Sequence, residues 1–564
     1  MKQLIECVPN FSEGNDARVI EQIAAVVREV EGVSLLNVDP GKATNRTVIT
    51  FAGAPEPVKE AAFRAIKKAA ELIDMRRHKG AHPRFGATDV CPLIPVSGIT
   101  MEETAEHARM LARRVGEELQ IPVYLYERAA TSPERANLAN CRAGEYEGLA
   151  KHMEDPGWQP DHGPRNMNER VAKTGATAIG ARDFLVAYNV NLNTTSARLA
   201  NAVAFDVRER GRALVDPATG KKMLDENGKT VMKPGTLKAV KAIGWYIEEY
   251  GVAQISMNLT DISATPVHAA FDETCRKAAE RGLRVTGSEL VGLVPLRAML
   301  DAGRYFLRKQ QRSTGVPDSE LIKIAVKSLG LDDLAPFNPR ERVIEYLLED
   351  EERKGTKRLA EMSLAAFIDE TSSESPAPGG GSIAACMGAL GAALAGMVAN
   401  LSARKRGWDD RWEEFSDQAE RAKAHQTELL KLVDEDTAAF NRLMAAYELP
   451  KKSDEEKQAR HRAIQEATRH ATEAPLRTMT LCHDSMEVIR AMAEKGNPNS
   501  VTDAGVGALA ARAGALGAFL NVKVNAAGLD DRDLAETLLR QGEELVARTC
   551  EKESEILAIV RGKI

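Results

Sequence analysis

Three observations predict a multidomain fold, in which two α/β subdomains precede an all-α helical bundle. Strand and helix patterns alternate over the first 130 residues in the order βαββαβαβ, and the alternation resumes after residue 182. Beyond about residue 348, nearly every segment has the helical period and is rich in Ala, Leu, Glu, Lys and Arg. The alternating regions predict α+β sandwiches of the βαββαβ type, which begin like the split βαβ of ferredoxin-like folds.

The first subdomain is predicted over residues 1–181. Its strands are expected where apolar and β-branched residues concentrate, at LIECVPNF, VSLLNVD, RTVITFAG, DVCPLIPV and PVYLYE. Its helices are expected where apolar residues recur every three or four positions, at DARVIEQIAAVVREV, PEPVKEAAFRAIKKAAELI and TMEETAEHARMLARRVGEEL. A polar loop with glycines, from about 155 to 182, ends this subdomain.

The second subdomain is predicted over residues 182–348. Its strands are expected at ARDFLVAYNVNL, LKAVKAIGWYIE, VAQISMNLTD and LRVTGSELVGLVP, and its helices at SARLANAVAFDVRERG, PVHAAFDETCRKAAERG and LRAMLDAGRYFLRK. Between residues 217 and 234, KKMLDENGKTVM predicts a surface hairpin in which Asn227-Gly228 suits a type I′ turn. The charge-dense EDEERKGTK (349–357) is the predicted linker to the helical domain, residues 358–564.

Composition disfavours several classes of function. The 564 residues carry 76 basic and 82 acidic side chains, so the basic surplus of a typical nucleic-acid binder does not occur. Aromatic residues make up only 5%, which disfavours a base-stacking surface. The seven cysteines are far apart and form no CxxC, which indicates a reducing, cytoplasmic compartment rather than a disulfide framework. Because Glu6 precedes any apolar run, no signal peptide is expected.

The uncharged segment from Ser375 to Ala403 could be mistaken for a membrane span. It is dominated by Ala and Gly, whose transfer into lipid is only weakly favourable. Small residues at three- and four-residue spacing let helices approach closely, so this segment is predicted to be a buried bundle helix that could also serve a subunit contact.

No metal or nucleotide fingerprint is found in the sequence. There is no GxxxxGK[ST] and no HExxH, and the one GxGxxA (505–510) lies within an Ala-rich helical stretch. His78 and His82 have the spacing of a helical metal pair, but Gly80 and Pro83 make the segment a loop and no third ligand is evident. No metal site is therefore predicted.

Two residues of the first subdomain are candidates for chemistry. His82 lies in KGAHPRFGATDV (79–90), where Pro83 pushes its backbone into the extended region. A histidine on such a loop suits a general base near neutral pH, and a surface or structural histidine is the alternative. Asp39 ends the strand VSLLNVD, where α/β sheets often place functional carboxylates; a turn formed with Pro40 and Gly41 is the alternative.

Two glycine-containing segments are candidate ligand loops. GPRNMNERVAKTGATAIGAR (163–182) joins the two subdomains, and its amides and basic side chains suit an anionic or amide-rich ligand. A mobile connector is the alternative. PAPGGGS (376–382) precedes the Ala-rich helix, where three glycines and the helix N-terminus permit close backbone approach to a ligand; a flexible hinge is the alternative.

A carboxylate also occurs within an apolar stripe of the helical domain. Asp436 shares the helical spacing of Leu429, Val433, Phe440, Leu443 and Tyr447, whereas Asp434 and Glu435 fall off that stripe. A carboxyl group that faces a core resists ionisation, so the pKa of Asp436 is expected to rise toward values that suit a proton donor. A buried Asp paired with an Arg or a backbone cap is the alternative.

The chain resembles bifunctional formimidoyltransferase–cyclodeaminases, a family of folate enzymes of histidine breakdown. The resemblance runs over essentially the full length and rests on several strings in the same order: ECVPNFSEG, NRTVITF, HKGAHPRFGATDVCPLIPV, YLYE with RAGEYE, IGWY, GSELVGLVPL, PFNPRERVIEYL, PAPGGGS and LVDEDTAAF. It implies transfer of the formimino group from N-formimino-L-glutamate to tetrahydrofolate. The helical domain would then cyclise and deaminate 5-formiminotetrahydrofolate to 5,10-methenyltetrahydrofolate and ammonia.

The resemblance also implies roles for individual residues. His82 is the expected base of the transfer, and Asp436 matches the proton donor of the deaminase. Asp39 is expected from its place at the end of a strand, rather than from the resemblance, to align the cationic amidine. The expected ligand loop of the deaminase is Gly379, Gly380, Gly381 and Ser382. The expected folate-binding residues are Gly163, Pro164, Arg165, Asn166, Met167, Asn168, Glu169, Arg170, Val171, Ala172, Lys173, Thr174 and Gly175.

Further expectations concern the partners of the protein and the alternative functions. We expect polyglutamylated tetrahydrofolate as cosubstrate, no metal, no nucleic-acid or membrane partner, and a cytoplasmic homo-oligomer built as a ring of dimers. Lys451 and Lys452 are candidates to hold the polyglutamate tail, and the hairpin at 217–234 is expected to be an insertion. The alternatives are an enzyme with only one activity, as a glutamate formyl- or formiminotransferase or a methenyltetrahydrofolate cyclohydrolase, and a non-catalytic folate-binding scaffold.

Overall fold

The computed structural model describes residues 3–41, 45–80, 84–217, 219–352 and 358–564. His82 and residues 353–357 of the predicted linker lie outside these ranges. The chain divides into two compact units, of which the first comprises Met1–Asp301 with Val326–Lys354 and the second Ala302–Ala325 with Gly355–Ile564. An α/β region, whose first sheet is mixed, precedes a helical region, as the sequence predicts.

The first sheet is formed by residues of the N-terminal third. Its strands are β1 (Leu4–Cys7), β2 (Asn10–Phe11), β3 (Val33–Gly41), β4 (Arg46–Gly53), β5 (Thr88–Ser97), β6 (Val123–Glu127) and β7 (Thr177–Ala181). The accompanying helices are α1 (Ala17–Arg28), α2 (Pro55–Leu72), α3 (Met101–Leu119), α4 (Leu138–Cys141), α5 (Glu145–Glu154) and α6 (Glu169–Thr174). Side-chain caps begin several of them, including a reciprocal capping box between Thr100 and Glu103 at α3.

The strand order is β1-β4-β2-β5-β7-β6, with β3 beside β4. All pairings are antiparallel except those of β7 with β5 and β6, so the sheet is mixed. Apolar side chains of one sheet face pack with α1, α2 and α3 in a single core. Strand β7 lies within the segment predicted as a polar loop. The strand was not predicted because its five residues are all buried and show no alternation between apolar and polar.

The second sheet follows along the chain. Its strands are β8 (Val186–Leu192), β11 (Val240–Ile247), β12 (Val252–Leu259) and β13 (Val285–Val291), with a separate ribbon of β9 (Arg212–Ala213) and β10 (Met232–Lys233). The helices are α7 (Ala197–Val207), α8 (Val267–Ala279), α9 (Leu296–Lys309), α10 (Asp318–Leu329), α11 (Pro339–Arg342) and α12 (Ile344–Glu352). The order β11-β12-β8-β13 is antiparallel throughout, and α12 continues to Glu352, within the predicted linker.

The predicted hairpin between residues 217 and 234 forms, but its predicted type I′ turn is wrong. Leu224 pairs with Thr230, and the Gly228 N–H donates to Asp225 O at 3.0 Å. Gly228 has φ +75°, whereas Asn227 is not among the residues with positive φ that a type I′ turn requires at both central positions. The turn is therefore the three-residue kind, in which only the glycine adopts the left-handed conformation.

The helical region contains six long or medium helices: α13 (Leu364–Thr371), α14 (Gly380–Ala403), α15 (Trp412–Glu448), α16 (Asp454–Lys495), α17 (Val501–Ala526) and α18 (Arg532–Arg561). The Ala-rich segment forms α14, which packs against α15, α16 and α17. A Cβ on Gly391 would lie 2.8 Å from Gly507 O, so small residues do permit the close approach of α14 and α17. Both helices are long and apolar enough to span a membrane, and about half of each apolar stretch is buried within the bundle (56% and 50%).

Candidate active sites

In the helical region, Asp436 on α15 meets the first turn of α14. Ser382 Oγ lies 3.2 Å from Asp436 Oδ2, 2.9 Å from Val433 O and 3.2 Å from Thr437 Oγ1. A Cβ on Gly381 would lie only 2.0 Å from Asp436 Oδ1, so any larger residue at this position would displace the carboxyl group or the helix turn. The sequence-predicted carboxylate and the sequence-predicted glycine loop therefore form one site.

The environment of Asp436 raises the pKa of its carboxyl group. Burial is the largest cause, and hydrogen bonds from the Ser382 hydroxyl and backbone N–H oppose it only in part. The direction agrees with the expectation from the sequence. A carboxyl group that keeps its proton to higher pH can serve as a general acid.

A cavity of about 130 Å³ opens beside this carboxyl group. Backbone from the residues before α14 forms one wall, and side chains of α15, α16 and α17 form the others. The lining residues are Pro376, Ala377, Gly379, Gly380, Gly381, Asp436, Thr437, Ala439, Phe440, Leu443, Ala471, Asn521 and Asn525. The combination of apolar walls, two amide side chains and one carboxyl group suits a partly aromatic, hydrogen-bonding ligand.

The predicted apolar stripe around Asp436 is only partly buried. Phe440 and Tyr447 are 39% and 48% exposed, whereas Leu429 and Val433 are buried. In the C-terminal half of α15 the buried positions are Ala439 and Ala446 instead, and Phe440 and Leu443 line the cavity. Asp434, which the helical period places off the stripe, instead accepts a hydrogen bond from Leu359 N at 2.7 Å, and burial raises its pKa as well.

In the α/β region, the residues on both sides of positions 81–83 are anchored. His78 Nε2 lies 2.9 Å from Asn45 O, and Asn45 Nδ2 donates to Lys79 O at 2.7 Å. On the other side, Ser12 Oγ donates to Gly86 O at 2.7 Å. The assignment of His82 as the base stays a prediction, and the hydrogen bonds concern only the described residues on either side of it.

Asp39 lies within a strand rather than in a turn. Strand β3 continues through Pro40 to Gly41, and Asp39 pairs with Val48 on β4. Its side chain is exposed. The alternative of an Asp-Pro-Gly turn is therefore wrong, and the alignment of an amidine by Asp39 stays a prediction.

The predicted folate loop is built around a short helix. Asn168 caps α6 by accepting a hydrogen bond from Val171 N at 2.9 Å, and Tyr146 Oη donates to Ala172 O at 2.5 Å. Lys173 Nζ donates to Glu71 O at 2.7 Å, and Arg170 donates to Leu119 O. Backbone carbonyls thus hold two of its basic side chains, and the exposed part of the segment is residues 165–170. Residues 169–174 are helical, which the connector alternative does not predict.

The local backbone explains the glycines at the two ends of this segment. Gly163 has φ +82°, and its backbone approaches Ile121, where a Cβ would lie 2.2 Å from Ile121 O. Gly175 has φ +66°, and a Cβ there would lie 2.4 Å from Phe85 O. Both positions therefore favour glycine whether or not a ligand binds between them.

Three protein-family models match the chain. "Formiminotransferase domain, N-terminal subdomain" matches residues 4–182, "Formiminotransferase domain" matches 187–349, and "Formiminotransferase-cyclodeaminase" matches 363–544. The formimidoyltransferase-cyclodeaminase of Rattus norvegicus is 43% identical over 531 residues, which cover 94% of each chain.

Two shorter relatives match parts of the chain. The glutamate formimidoyltransferase of Streptococcus pyogenes is 38% identical over 55% of this chain and 94% of its own length. The methenyltetrahydrofolate cyclohydrolase of Methylorubrum extorquens is 41% identical over 36% of this chain and 97% of its own length. The chain is thus similar to one relative that spans it and to two that each correspond to a part of it.

Proposed function

Because the chain belongs to the formimidoyltransferase-cyclodeaminase family, we propose that its two reactions are divided between its α/β and its helical regions. The protein is a bifunctional folate enzyme, which transfers a formimino group from N-formimino-L-glutamate to tetrahydrofolate and then cyclises and deaminates the product. The products of the second reaction are 5,10-methenyltetrahydrofolate and ammonia. We place both steps in the degradation of histidine to glutamate, in the cytoplasm.

The observation that carries the second reaction is the contact between Asp436 and the first turn of α14. N10 of 5-formiminotetrahydrofolate attacks the formimino carbon. The resulting tetrahedral carbon is bonded to N5, N10 and the former imino nitrogen, and it must release the last of these as ammonia. A neutral Asp436 donates the proton that the departing amine needs, and the resulting carboxylate can take up the proton released from N10. Burial supports this role because it keeps the carboxyl group protonated at higher pH.

We assign the first reaction to residues 1–348, in the two sheets that we propose to be of the ferredoxin-like type. N5 of tetrahydrofolate attacks the formimino carbon, His82 accepts the N5 proton, and the same proton returns to the departing glutamate nitrogen. Asp39 aligns the cationic amidine, and residues 163–175 bind the folate. Hydrogen bonds hold His78, Lys79 and Gly86, the described residues on both sides of positions 81–83.

The test is a coupled assay of the purified full chain. Incubation with N-formimino-L-glutamate and tetrahydrofolate should release ammonia and produce the absorbance of methenyl-folate in equal amounts. Mixtures that lack either substrate are the controls. Ammonia without methenyl-folate, or tight folate binding without turnover, would contradict the proposal.

We further propose that the protein is a homo-oligomer, a ring of dimers, in which α14 and α17 meet a second copy. Large apolar side chains are exposed on both helices, near coiled-coil spacing: Met387, Leu390, Met397 and Leu401 on α14, and Val506, Leu509, Leu520 and Val524 on α17. Such a face is costly in water, and an identical face on a second copy would cover it. Leu390→Glu should shift the sedimentation coefficient toward a smaller species, with Leu364→Glu on the separate helix α13 as the control. Binding to lipid vesicles without self-association would contradict the proposal.

We propose that the folate cosubstrate is polyglutamylated and that its tail contacts Lys451 and Lys452, in the exposed turn between α15 and α16. A tethered tail would keep the intermediate at high effective concentration while the pteridine end changes sites. An excess of transferase-dead protein can trap any free intermediate by deaminating it, and a deaminase-dead excess serves as the control. Equal capture of the mono- and pentaglutamyl intermediates would contradict preferential transfer.

A further inference from the structure

Two guanidinium groups share one buried carboxylate in the α/β region. Asp89 is 1% exposed, and its Oδ2 lies 2.7 Å from Arg142 Nη1 and 3.4 Å from Arg46 Nη1. The Arg46 and Arg142 side chains are only 18% and 19% exposed. One negative charge thus faces two positive charges in a mostly buried place, which leaves a net positive charge.

A bulge in the first sheet places Asp89 at this point. Asn10 on β2 pairs with Val90 and Phe11 pairs with Thr88, so Asp89 of β5 has no opposing residue. A bulge of this kind redirects a side chain, and bulges are frequent beside active sites. Asn10 accepts a hydrogen bond from Arg46 Nε at 2.8 Å, so the two strands that flank the bulge also orient one of the guanidinium groups.

Asp89 and Arg142 each have hydrogen-bonding capacity that no contact within the described residues uses. Asp89 Oδ1 is buried and has no hydrogen-bond partner among the described residues, although buried carboxylate oxygens are normally paired. Arg142 contacts Asp89 through Nη1, which is one of the two terminal nitrogens of its guanidinium. A guanidinium carries five N–H donors in a planar fork, so Arg142 retains donors that suit a second carboxylate.

The cluster borders the segment that carries the predicted base. Arg46 directly follows Asn45, which contacts both His78 and Lys79 on one side of positions 81–83. Arg142 lies just before α5, and Tyr146 N donates to Arg84 O at 2.9 Å on the other side. Residues close to both arginines in sequence, Asn45 and Tyr146, therefore hold the residues that flank this segment.

We propose that Arg142, together with Arg46, binds a carboxylate of N-formimino-L-glutamate, with Asp89 as the positioning residue that orients both guanidinium groups. The inference rests on the proposed transferase function. A glutamyl carboxylate could also come from the tail of folate. The small exposed fraction of both arginines favours the compact amino-acid donor over an extended polyanionic tail, which needs an open, solvated surface.

The first test compares steady-state kinetics of the full-length protein with Arg142→Gln and Arg142→Lys. Arg142→Gln should raise KM for N-formimino-L-glutamate by about ten- to a hundredfold, the usual loss for a charge-assisted hydrogen bond. KM for tetrahydrofolate and deamination of added 5-formiminotetrahydrofolate should not change. Arg142→Lys should give a smaller rise, because it keeps the charge but loses the fork.

The matched control is Arg109→Gln. Arg109 lies on α3, is 40% exposed and pairs with Glu106, so its loss removes an arginine and an ion pair outside the cluster. Thermal melting of each variant reports folding. If Arg142→Gln does not fold, Arg142→Lys carries the test, since it still neutralises Asp89.

The second test uses donors that lack one carboxylate, the formimino derivatives of 4-aminobutyrate and 2-aminobutyrate. Wild-type protein should discriminate against both, and Arg142→Gln should lose discrimination against one of them. An unchanged KM for the donor, a rise in KM for folate instead, or retained discrimination against both analogues would overturn the inference. Absence of transfer by wild-type protein would instead refute the proposed function, so the two failures are distinguishable.

Discussion

Replacement of Gly381 by alanine tests whether close approach of α14 positions the acid of the deaminase. The added Cβ would lie 2.0 Å from Asp436 Oδ1 and 2.5 Å from its Cγ. An ordinary contact of 3.4 Å thus requires a displacement of about 1.4 Å, of the carboxyl group or of the first turn of α14. Gly381 does not have a positive φ, so the backbone itself accepts alanine.

The size of the effect follows from that displacement. A misplacement of about 1 Å in a reacting group costs about a hundredfold in rate, so the kcat of deamination should fall by roughly that factor or more. Overpacking of a buried site costs about 1–3 kcal/mol, and the helix preference of alanine over glycine returns about 1 kcal/mol. The folded state should therefore survive, and the loss should be in activity.

The assay is single-turnover deamination of added 5-formiminotetrahydrofolate, with formimino transfer measured separately. Gly380→Ala should cost less than about tenfold, because its Cβ would lie 3.6 Å from Asn521 Nδ2, an ordinary contact. Gly505→Ala, on α17 with its nearest neighbour at 3.4 Å, controls for helix preference. If Gly381→Ala deaminates within threefold of wild type, or if transfer falls in parallel, the reasoning is wrong.

Four further predictions follow. Asp436→Asn should reduce deamination by at least about a hundredfold and leave transfer near wild type, and His82→Ala should do the reverse. Loss of both activities in either folded variant would contradict the assignment of the two reactions to separate regions. The rate of deamination should fall on the alkaline side of an apparent pKa above the usual value of about 3.9, because the neutral form of Asp436 is the acid and burial raises its pKa; a flat profile would indicate a positioning role. Burial raises the pKa of Glu6 to about 7, so the folded protein binds this proton more tightly than the unfolded chain does. The free energy of unfolding should therefore decline by up to about 3 kcal/mol as pH rises from about 4.5 to 7. Thermal melts of Glu6→Gln should lack that decline, and parallel pH dependences of the two proteins would refute it. Dialysis against EDTA should leave both rates unchanged, and a loss that added metal restores would contradict the metal-free mechanism.

Most of the architecture could be predicted because it depends on local patterns of apolar residues. Alternation with a period of two marks a strand with one buried face, and recurrence every three or four residues marks a helix, whatever the partners are. Strands β3, β4 and β12 and helices α2 and α3 were predictable on this basis. Strand β7 was not, since TAIGA is short and buried on both faces, and the same five letters suit a loop.

The candidate sites, too, were predictable only where they depend on a local pattern of residues. Asp436 was predictable because a carboxylate at an apolar position of a helix is a conflict visible within one segment. That it meets Gly381 and Ser382 was not, because the two elements are more than 50 residues apart and their contact depends on how α14 packs on α15. Exposure of Phe440 and Tyr447 has the same origin, because the packing of neighbouring helices decides that Ala439 and Ala446, one residue earlier, are buried instead.

By itself, the sequence determined most of the succession of long strands and helices, the change from α/β to all-α, the glycine loop and the unusual carboxylate. Each of these depends on residues near one another along the chain. Only the tertiary structure decided that Asp89, at a bulge in β5, meets Arg46 and Arg142, and that Asp436 lies against the first turn of α14. The physical reason is that charge pairing and desolvation depend on distances in space, and chain folding brings together groups whose separation in sequence carries no trace of their contact.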